Sequence, residues 1–123
     1  MDIERLREYC LSFDGVTEKT PFGKFAARFD SVLVFYVMGH MFCMFDMDNF
    51  EGVTVKGDPD VIAELYETRS SCAAHRNMSR KYWIELGVGG DISDAEILDF
   101  VRRSYEIVKA SYSRAGKRKR VKT

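Results

Sequence analysis

Cysteine is scarce in this chain, and no two cysteines lie close together. The three cysteines, Cys10, Cys43 and Cys72, are odd in number and form no Cys-x-x-Cys pair. Such spacing does not suit a disulfide framework or a structural zinc site, and it is typical of reduced thiols in the cytosol. The sequence therefore predicts a cytoplasmic protein that binds no metal through these residues.

The chain also lacks a long uncharged apolar run. The N-terminal residues Met-Asp-Ile-Glu-Arg have no basic region followed by an apolar segment and a cleavage site, so no secretory signal is expected. No stretch of about eighteen apolar residues suggests a membrane span. We therefore expect no membrane partner.

A net charge is missing as well, since Lys plus Arg and Asp plus Glu both total 19. A neutral molecule exerts little long-range attraction on nucleic acid. The charge is unevenly distributed, however, because residues 1–113 carry 13 basic against 19 acidic residues, a net charge of minus six. The last ten residues contain no acid and six bases, which are Arg114, Lys117, Arg118, Lys119, Arg120 and Lys122. We predict one domain over residues 1–113 and a mobile basic tail over residues 114–123.

Hydrophobic periodicity predicts an amphipathic helix over residues 2–13, capped by Asp2, and a half-buried strand over residues 25–29. Apolar runs over residues 32–38 and 41–47 are separated by Gly39-His40, which predicts a hairpin with a type II′ turn. In that register Tyr36 lies opposite Cys43. Both faces of the pair are apolar, so we expect it at the centre of a sheet, and any face left without helices would be an interaction surface.

Further elements follow the hairpin. A strand over residues 53–56 precedes a helix that starts at Asp58-Pro59, and a strand over residues 82–86 precedes a long helix that opens with the capping box Ser93 to Glu96. This order predicts the α+β class, with an antiparallel sheet packed against helices.

Acidic residues are absent between Glu67 and Glu85. The same stretch holds Arg69, His75, Arg76, Arg80 and Lys81, and it ends in the aromatic pair Tyr82-Trp83. Cations interleaved with rings suit a polyanion, since charges hold phosphates while rings pack on sugar and base. The alternative is structural, because a basic surface turn followed by a buried tryptophan is common in proteins that bind no nucleic acid.

Other motifs are weak. The segment Asp46 to Glu51 begins like a calcium loop but has Glu51 where the sharp turn needs glycine. Gly87 to Gly90 precedes a helix but lacks the Lys-Ser or Lys-Thr of a phosphate-binding loop. Cys72 and His75 have no carboxylate placed to orient them as a catalytic dyad, and His40 is expected to be a solvent-facing turn residue. We name no catalytic residue and no cofactor, and we predict a protein that is not an enzyme.

A set of segments follows one another in a recognisable order and spacing: residues 6–18, Pro21-Phe22-Gly23, Met41-Phe42, residues 55–59, residues 78–83 and residues 104–108. Together these segments resemble the YjbR/MmcQ family of small bacterial proteins. Two positions depart from the family pattern, namely Ser79, where the family usually has Asn, and Tyr82, where it usually has His. The resemblance implies a CyaY-like (frataxin-like) two-layer α+β fold, and members are often named DNA-binding for a proposed double-wing arrangement.

The leading hypothesis is therefore a non-enzymatic DNA-binding module that uses the basic and aromatic stretch over residues 69–83 together with the tail. Cations would hold phosphates, Tyr82 would pack on sugar or base, and Trp83 would anchor the loop in the core. The alternative is a domain that binds a protein or a small anionic ligand. The predicted DNA-binding residues are Lys56, Arg76, Arg80, Lys81, Tyr82, Lys117, Arg118, Lys119 and Arg120.

Overall fold

A computed structural model of the chain describes residues 1–24 and 31–113. The strand expected over residues 25–29 and the basic tail that starts at Arg114 lie outside the described residues. The elements in chain order are α1 Ile3–Leu11, β1 Val16–Lys19, a 3₁₀ helix Pro21–Lys24, β2 Val32–Val37, β3 His40–Asp46, β4 Gly52–Lys56, α2 Pro59–Thr68, β5 Cys72–Ala73, β6 Trp83–Gly87 and α3 Asp94–Tyr112.

The strands form one six-stranded sheet in the order β1-β2-β3-β4-β6-β5, and every neighbouring pair is antiparallel. The predicted α+β class is confirmed. The hairpin strands β2 and β3 lie inside the sheet, as expected. The two short strands β1 and β5 were not predicted, because four and two residues are too few to show a reliable alternation of apolar side chains.

The hydrophobic core lies between one face of the sheet and the helices. Phe35, Val55 and Ile84 occupy this face on strands β2, β4 and β6 and are fully buried with Leu6 of α1 and Val101 of α3. Side chains alternate along a strand, so the neighbours of these residues lie on the opposite face. That face carries Val34, Met44 and Thr54. The three helices contribute their buried residues to the first face, which gives the two-layer arrangement.

The predicted turn between β2 and β3 is wrong by one residue. The connecting residues are Met38 and Gly39, with φ of 55° and 77°, and positive φ at both positions is typical of a type I′ turn. His40 instead begins β3 opposite Val37, and its exposed ring stacks on Tyr112 of α3 with the centroids 3.4 Å apart. A stacking partner that is distant in the chain therefore draws His40 into the strand.

The predicted register of the hairpin is also wrong. Phe35 lies opposite Cys43 and Tyr36 opposite Met41, and the register shifts between these two pairs. Phe42 is therefore the extra residue of a β-bulge in β3. The hydroxyl of Ser104 in α3 donates to the carbonyl oxygen of Phe42 at 2.5 Å.

Ser104 also joins α3 to β4. Its hydroxyl oxygen accepts the backbone N–H of Lys56 at 2.9 Å, and its side chain is completely buried. One hydroxyl thus bridges β3 and β4 where their direct pairing, which covers Cys43 with Val55 and Met44 with Thr54, has ended. Lys56 is held in place by this bridge.

Helix boundaries follow local capping signals. The Asp2 and Asp58 side chains accept backbone N–H groups at the starts of α1 and α2, and Pro59 occupies the first turn of α2. Ser93 and Glu96 form the expected capping box of α3. Within the described residues, no helix is both long enough and apolar enough to cross a membrane.

Candidate functional site

The predicted body residues lie around a turn of residues 79–82, which we call the cationic turn. The carbonyl of Ser79 accepts the N–H groups of Tyr82 and Trp83, at 3.3 and 2.9 Å. The carbonyl of Tyr82 accepts the N–H of Gly57 at 2.9 Å. These bonds tie the turn to the end of β4, so it has a defined position beside Lys56.

Each of three cations at this turn lies over an aromatic ring. The Arg80 guanidinium carbon is 4.0 Å from the centroid of the Tyr66 ring, in α2. Lys81 Nζ is 5.4 Å from the Tyr82 ring, and Lys56 Nζ is 5.9 Å from the Trp83 ring. Cation–π contacts of this kind orient a charged group without neutralising it.

Tyr66 is itself held in place beneath Arg80. Its hydroxyl donates to the carbonyl of Trp83 at 3.1 Å, and burial raises its pKa. The sequence pattern assigned Tyr66 only to the buried stripe of α2. No sequence signal could have revealed its contact with Arg80, because the contact depends on how α2 packs beside β6.

Charge neutralisation differs sharply between this region and the rest of the domain. Arg7, Arg102 and Arg103 form ion pairs with nearby carboxylates on or beside helices α1 and α3. In the part of the chain that the structure describes, no ion pair involves the cations of the predicted site, which are Lys56, Arg76, Arg80 and Lys81. Their charges are therefore available to an anionic ligand.

Arg69, the first cation of the basic stretch, does not belong to this group. It forms an ion pair with Glu96 at 2.6 Å and donates to the carbonyl of Asp91 at 2.7 Å. The hydrogen bonds from Arg69 and from the Ser93 backbone lower the pKa of Glu96 to about 2. The stretch over residues 69–83 is thus divided, because its first cation stabilises the start of α3.

The turn after β6 is also structural, as expected for the glycine-rich segment. The carboxylate of Asp91 accepts the hydroxyl and the backbone N–H of both Ser70 and Ser71. These bonds, with the Ser71 hydroxyl foremost, hold the pKa of Asp91 well below its usual range. In the glycine-rich segment itself, the N–H groups of Gly87 and Val88 donate to the carbonyls of Ser71 and Glu51, both at 2.9 Å.

Two grooves flank the cationic turn and share Pro59. The first, which we call the α2 groove, has a volume of about 470 Å³, and the second, which we call the α3 groove, has a volume of about 320 Å³. The α2 groove is lined by Pro59, Ile62, Ala63, Tyr66, Glu67, Arg80 and Lys81. The α3 groove is lined by Lys56, Gly57, Asp58, Pro59, Tyr82, Ile107 and Ser111.

The structure thus brings together four of the five predicted body residues, Lys56, Arg80, Lys81 and Tyr82. Tyr82 is 41% exposed, as a ring that contacts a ligand should be. Arg76 is exposed in the preceding loop and lines neither groove. The four predicted tail residues from Lys117 to Arg120 lie outside the described residues.

The expected anchoring of Trp83 in the core is wrong. Ile84 and Leu86 point into the core, so strand alternation places Trp83 on the opposite face of the sheet, paired with Lys56. Its side chain is half-buried and lies outside the core cluster. The Trp83 ring instead lies beneath Lys56 Nζ on the face of the sheet opposite the core.

Within the described residues, no hydrogen bond joins Cys72 to His75. The Cys72 side chain is buried, which raises its pKa, and His75 Nδ1 accepts the backbone N–H of Asn77 at 3.3 Å. In the calcium-like segment the Asp46 carboxylate is engaged locally, since it accepts the backbone N–H groups of Asp48 and Asn49. Across residues 1–24 and 31–113, no group of three His, Cys, Asp or Glu residues is arranged to hold a metal ion.

Comparison with known proteins agrees with the sequence resemblance. The family model of YjbR matches residues 11–107. The chain belongs to the YjbR family. No curated protein matches this YjbR chain significantly.

Two solved structures share the fold of this YjbR chain. The Deinococcus radiodurans protein DR2400, described with a DUF419 domain, is 22% identical with a TM-score of 0.81, over 95% of this chain and 86% of that one. A protein from Pseudomonas syringae is 15% identical with a TM-score of 0.69, over 88% of this chain and 99% of that one. At these identities the likeness establishes the fold alone.

Proposed function

We propose that this YjbR chain is a non-enzymatic DNA-binding module and that its body site is formed by Lys56, Arg76 and the cationic turn. The observation that carries the proposal is a set of four cations that form no ion pair with any described residue, three of which lie over aromatic rings. Phosphate groups are the anions that such a set fits, and exposed rings beside them can pack on sugar or base.

The site differs from a generic basic surface because its charges are positioned. Arg80 and Lys81 belong to a turn that backbone hydrogen bonds fix to β4, and Lys56 is fixed through Ser104. Fixed cations can favour one arrangement of phosphates over another, whereas the basic tail alone would attract any polyanion. Ser79, which replaces the usual family Asn, still offers an exposed hydroxyl to a phosphate.

A second candidate is binding of a small anionic ligand. The α2 groove favours it, because this groove places Arg80 and Lys81 above the apolar residues Ile62 and Ala63. Pockets of a few hundred Å³ with an apolar wall and a few polar groups are typical of sites for small molecules. The net negative charge of residues 1–113 also disfavours a long polyanion relative to a small one.

Fluorescence anisotropy with a labelled DNA duplex at two salt concentrations tests the proposal. Counterion release predicts that log affinity falls with log salt by about 0.9 for each phosphate that the protein neutralises. We expect the triple variant Arg76→Ala, Arg80→Ala, Lys81→Ala to lose preference among duplexes and to retain weak binding through the tail. A chain that ends at Arg114 should bind more weakly with a shallower salt dependence, yet keep its preference.

A charge-matched control separates the site from net charge. The triple variant Arg5→Ala, Lys19→Ala, Arg103→Ala removes as many positive charges from other surfaces and should bind like the parent with a small uniform loss. The body site would be contradicted if the Arg76→Ala, Arg80→Ala, Lys81→Ala variant bound DNA with the affinity of the parent while the chain that ends at Arg114 bound none. No binding to duplex or single-stranded DNA at low salt would reject DNA and leave the small-ligand candidate.

A further inference from the structure

The cationic turn has a shape that a DNA duplex cannot fully use. A duplex presents base edges inside grooves, and reading them in the wide groove, about 12 Å across, takes an inserted helix or a two-stranded ribbon. Here Arg80 and Lys81 line the α2 groove, and Lys56 lines the α3 groove. The element between the two grooves is a tight turn in which Tyr82 is exposed. A concave surface of this kind can accept an unpaired base that turns away from its strand and enters the groove.

Flat platforms line these grooves. The guanidinium of Arg80 lies 4.0 Å from the Tyr66 ring centroid in the α2 groove, and the Tyr82 ring lines the α3 groove. Unpaired bases stack on aromatic rings and on guanidinium planes. In a duplex the base faces are covered by their neighbours, so such platforms would have nothing to bind.

We propose that the cationic turn binds a single strand in preference to a duplex, with neighbouring nucleotides on the two sides of Tyr82. The inference rests on the proposed function, because it specifies which form of nucleic acid the site accepts. Arg80 and Lys81 hold the backbone at the α2 groove, and Lys56 holds it at the α3 groove. The bases face Tyr82 and the Arg80–Tyr66 pair.

Carboxylates at the same grooves support this choice. Glu67 lines the α2 groove and Asp58 lines the α3 groove, and both side chains are acidic and exposed. A rigid duplex carries one negative charge per about 1.7 Å of its axis and would bring phosphates close to these carboxylates as well as to the cations. A flexible strand can rotate its phosphates toward Lys56, Arg80 and Lys81 and turn bases toward Glu67 and Asp58.

The test measures the affinity of the full-length chain for three labelled probes, which are a twelve-nucleotide oligothymidylate, a twelve-nucleotide oligouridylate and a DNA duplex of the same length. We expect tighter binding of at least one single strand than of the duplex at moderate salt. Tighter binding of one single strand than of the other shows whether the site prefers DNA or RNA. Equal binding of the two shows that the site does not distinguish the sugars. Both outcomes support the proposal.

Tyr82→Ala should weaken single-strand binding by roughly 5- to 150-fold, the range expected for loss of one stacked base. Tyr82→Phe keeps the ring and should bind like the parent. Melting curves of both variants check that they fold. Equal or tighter binding of the duplex, or an unchanged affinity in a folded Tyr82→Ala variant, would overturn the single-strand inference while DNA binding stands. Absence of binding to all three probes would remove the proposed function itself.

Discussion

Replacing Ser104 with alanine should test whether one hydroxyl holds the sheet together at its bulge. The hydroxyl of Ser104 donates to the Phe42 carbonyl and accepts the Lys56 N–H. Its removal therefore leaves both backbone groups without this hydrogen-bond partner. An unsatisfied buried polar group costs about 1 to 3 kcal/mol. The Phe42 carbonyl is in the interior, whereas the Lys56 N–H is part-buried and can recover some of its loss through water.

Alanine also favours a helix over serine by about 0.5 kcal/mol, which offsets part of the loss. The expected net destabilisation is therefore about 2 kcal/mol. Urea denaturation followed by circular dichroism measures it, and an unchanged slope against urea would show that the compactness of the folded and unfolded states is unaltered. For a domain of this size the melting temperature should fall by roughly 6 to 10 °C.

Ser111→Ala in the same helix is the matched control. Its hydroxyl donates only to the Ile107 carbonyl on an exposed surface, so its removal should change stability by less than about 0.5 kcal/mol. If Ser104→Ala and Ser111→Ala were equally stable, the bridge between β3 and β4 would have no energetic role. The reasoning that places Lys56 through Ser104 would then fail.

Two further predictions concern the hairpin turn and the start of α3. Gly39→Val should destabilise the protein by about 1 to 3 kcal/mol, because the φ of 77° at this position strains a β-branched residue. Met38→Asn should stabilise the protein, since asparagine suits the first position of a type I′ turn. Thermal melts that rank the two variants the other way would contradict the turn assignment. Glu96 has a folded pKa of about 2 against an ordinary value of 4.5, so its contribution to stability is present above pH 4.5 and is lost as pH falls toward 2. Urea midpoints measured across that range should decline less steeply for Glu96→Gln than for the parent, and parallel declines would show that Glu96 carries none of the effect.

Local sequence was sufficient to locate the helices and the two strands of the central hairpin. Asp2, Asp58 and the Ser93 to Glu96 box mark helix starts through hydrogen bonds that span only two or three residues. The apolar runs on either side of Gly39 marked the two central strands. These signals act between chain neighbours, so they can be read without knowing the rest of the fold.

The sequence located the charged and aromatic residues of the candidate site, but it could not show which of the cations form ion pairs. The gap in acidic residues pointed to the stretch over residues 69–83, and four of the five body residues named there and at Lys56 do surround one turn. Sequence could not show that Arg69 pairs with Glu96, 27 positions away, while Arg80 lies over Tyr66. Which cation is neutralised depends on which elements pack together.

Caps, turns and periodicity are local, and they specified by themselves where the helices and the longer strands β2, β3, β4 and β6 form, but not the short strands β1 and β5. Tertiary structure decided the register of β2 and β3, where Phe42, the extra residue of the bulge, accepts a hydrogen bond from Ser104, 62 residues away. It also decided the direction of Trp83, because Ile84 and Leu86 had to fill the core and strand alternation left Trp83 on the other face. The same long-range packing places Lys56 over the Trp83 ring and Arg80 over the Tyr66 ring at the candidate site.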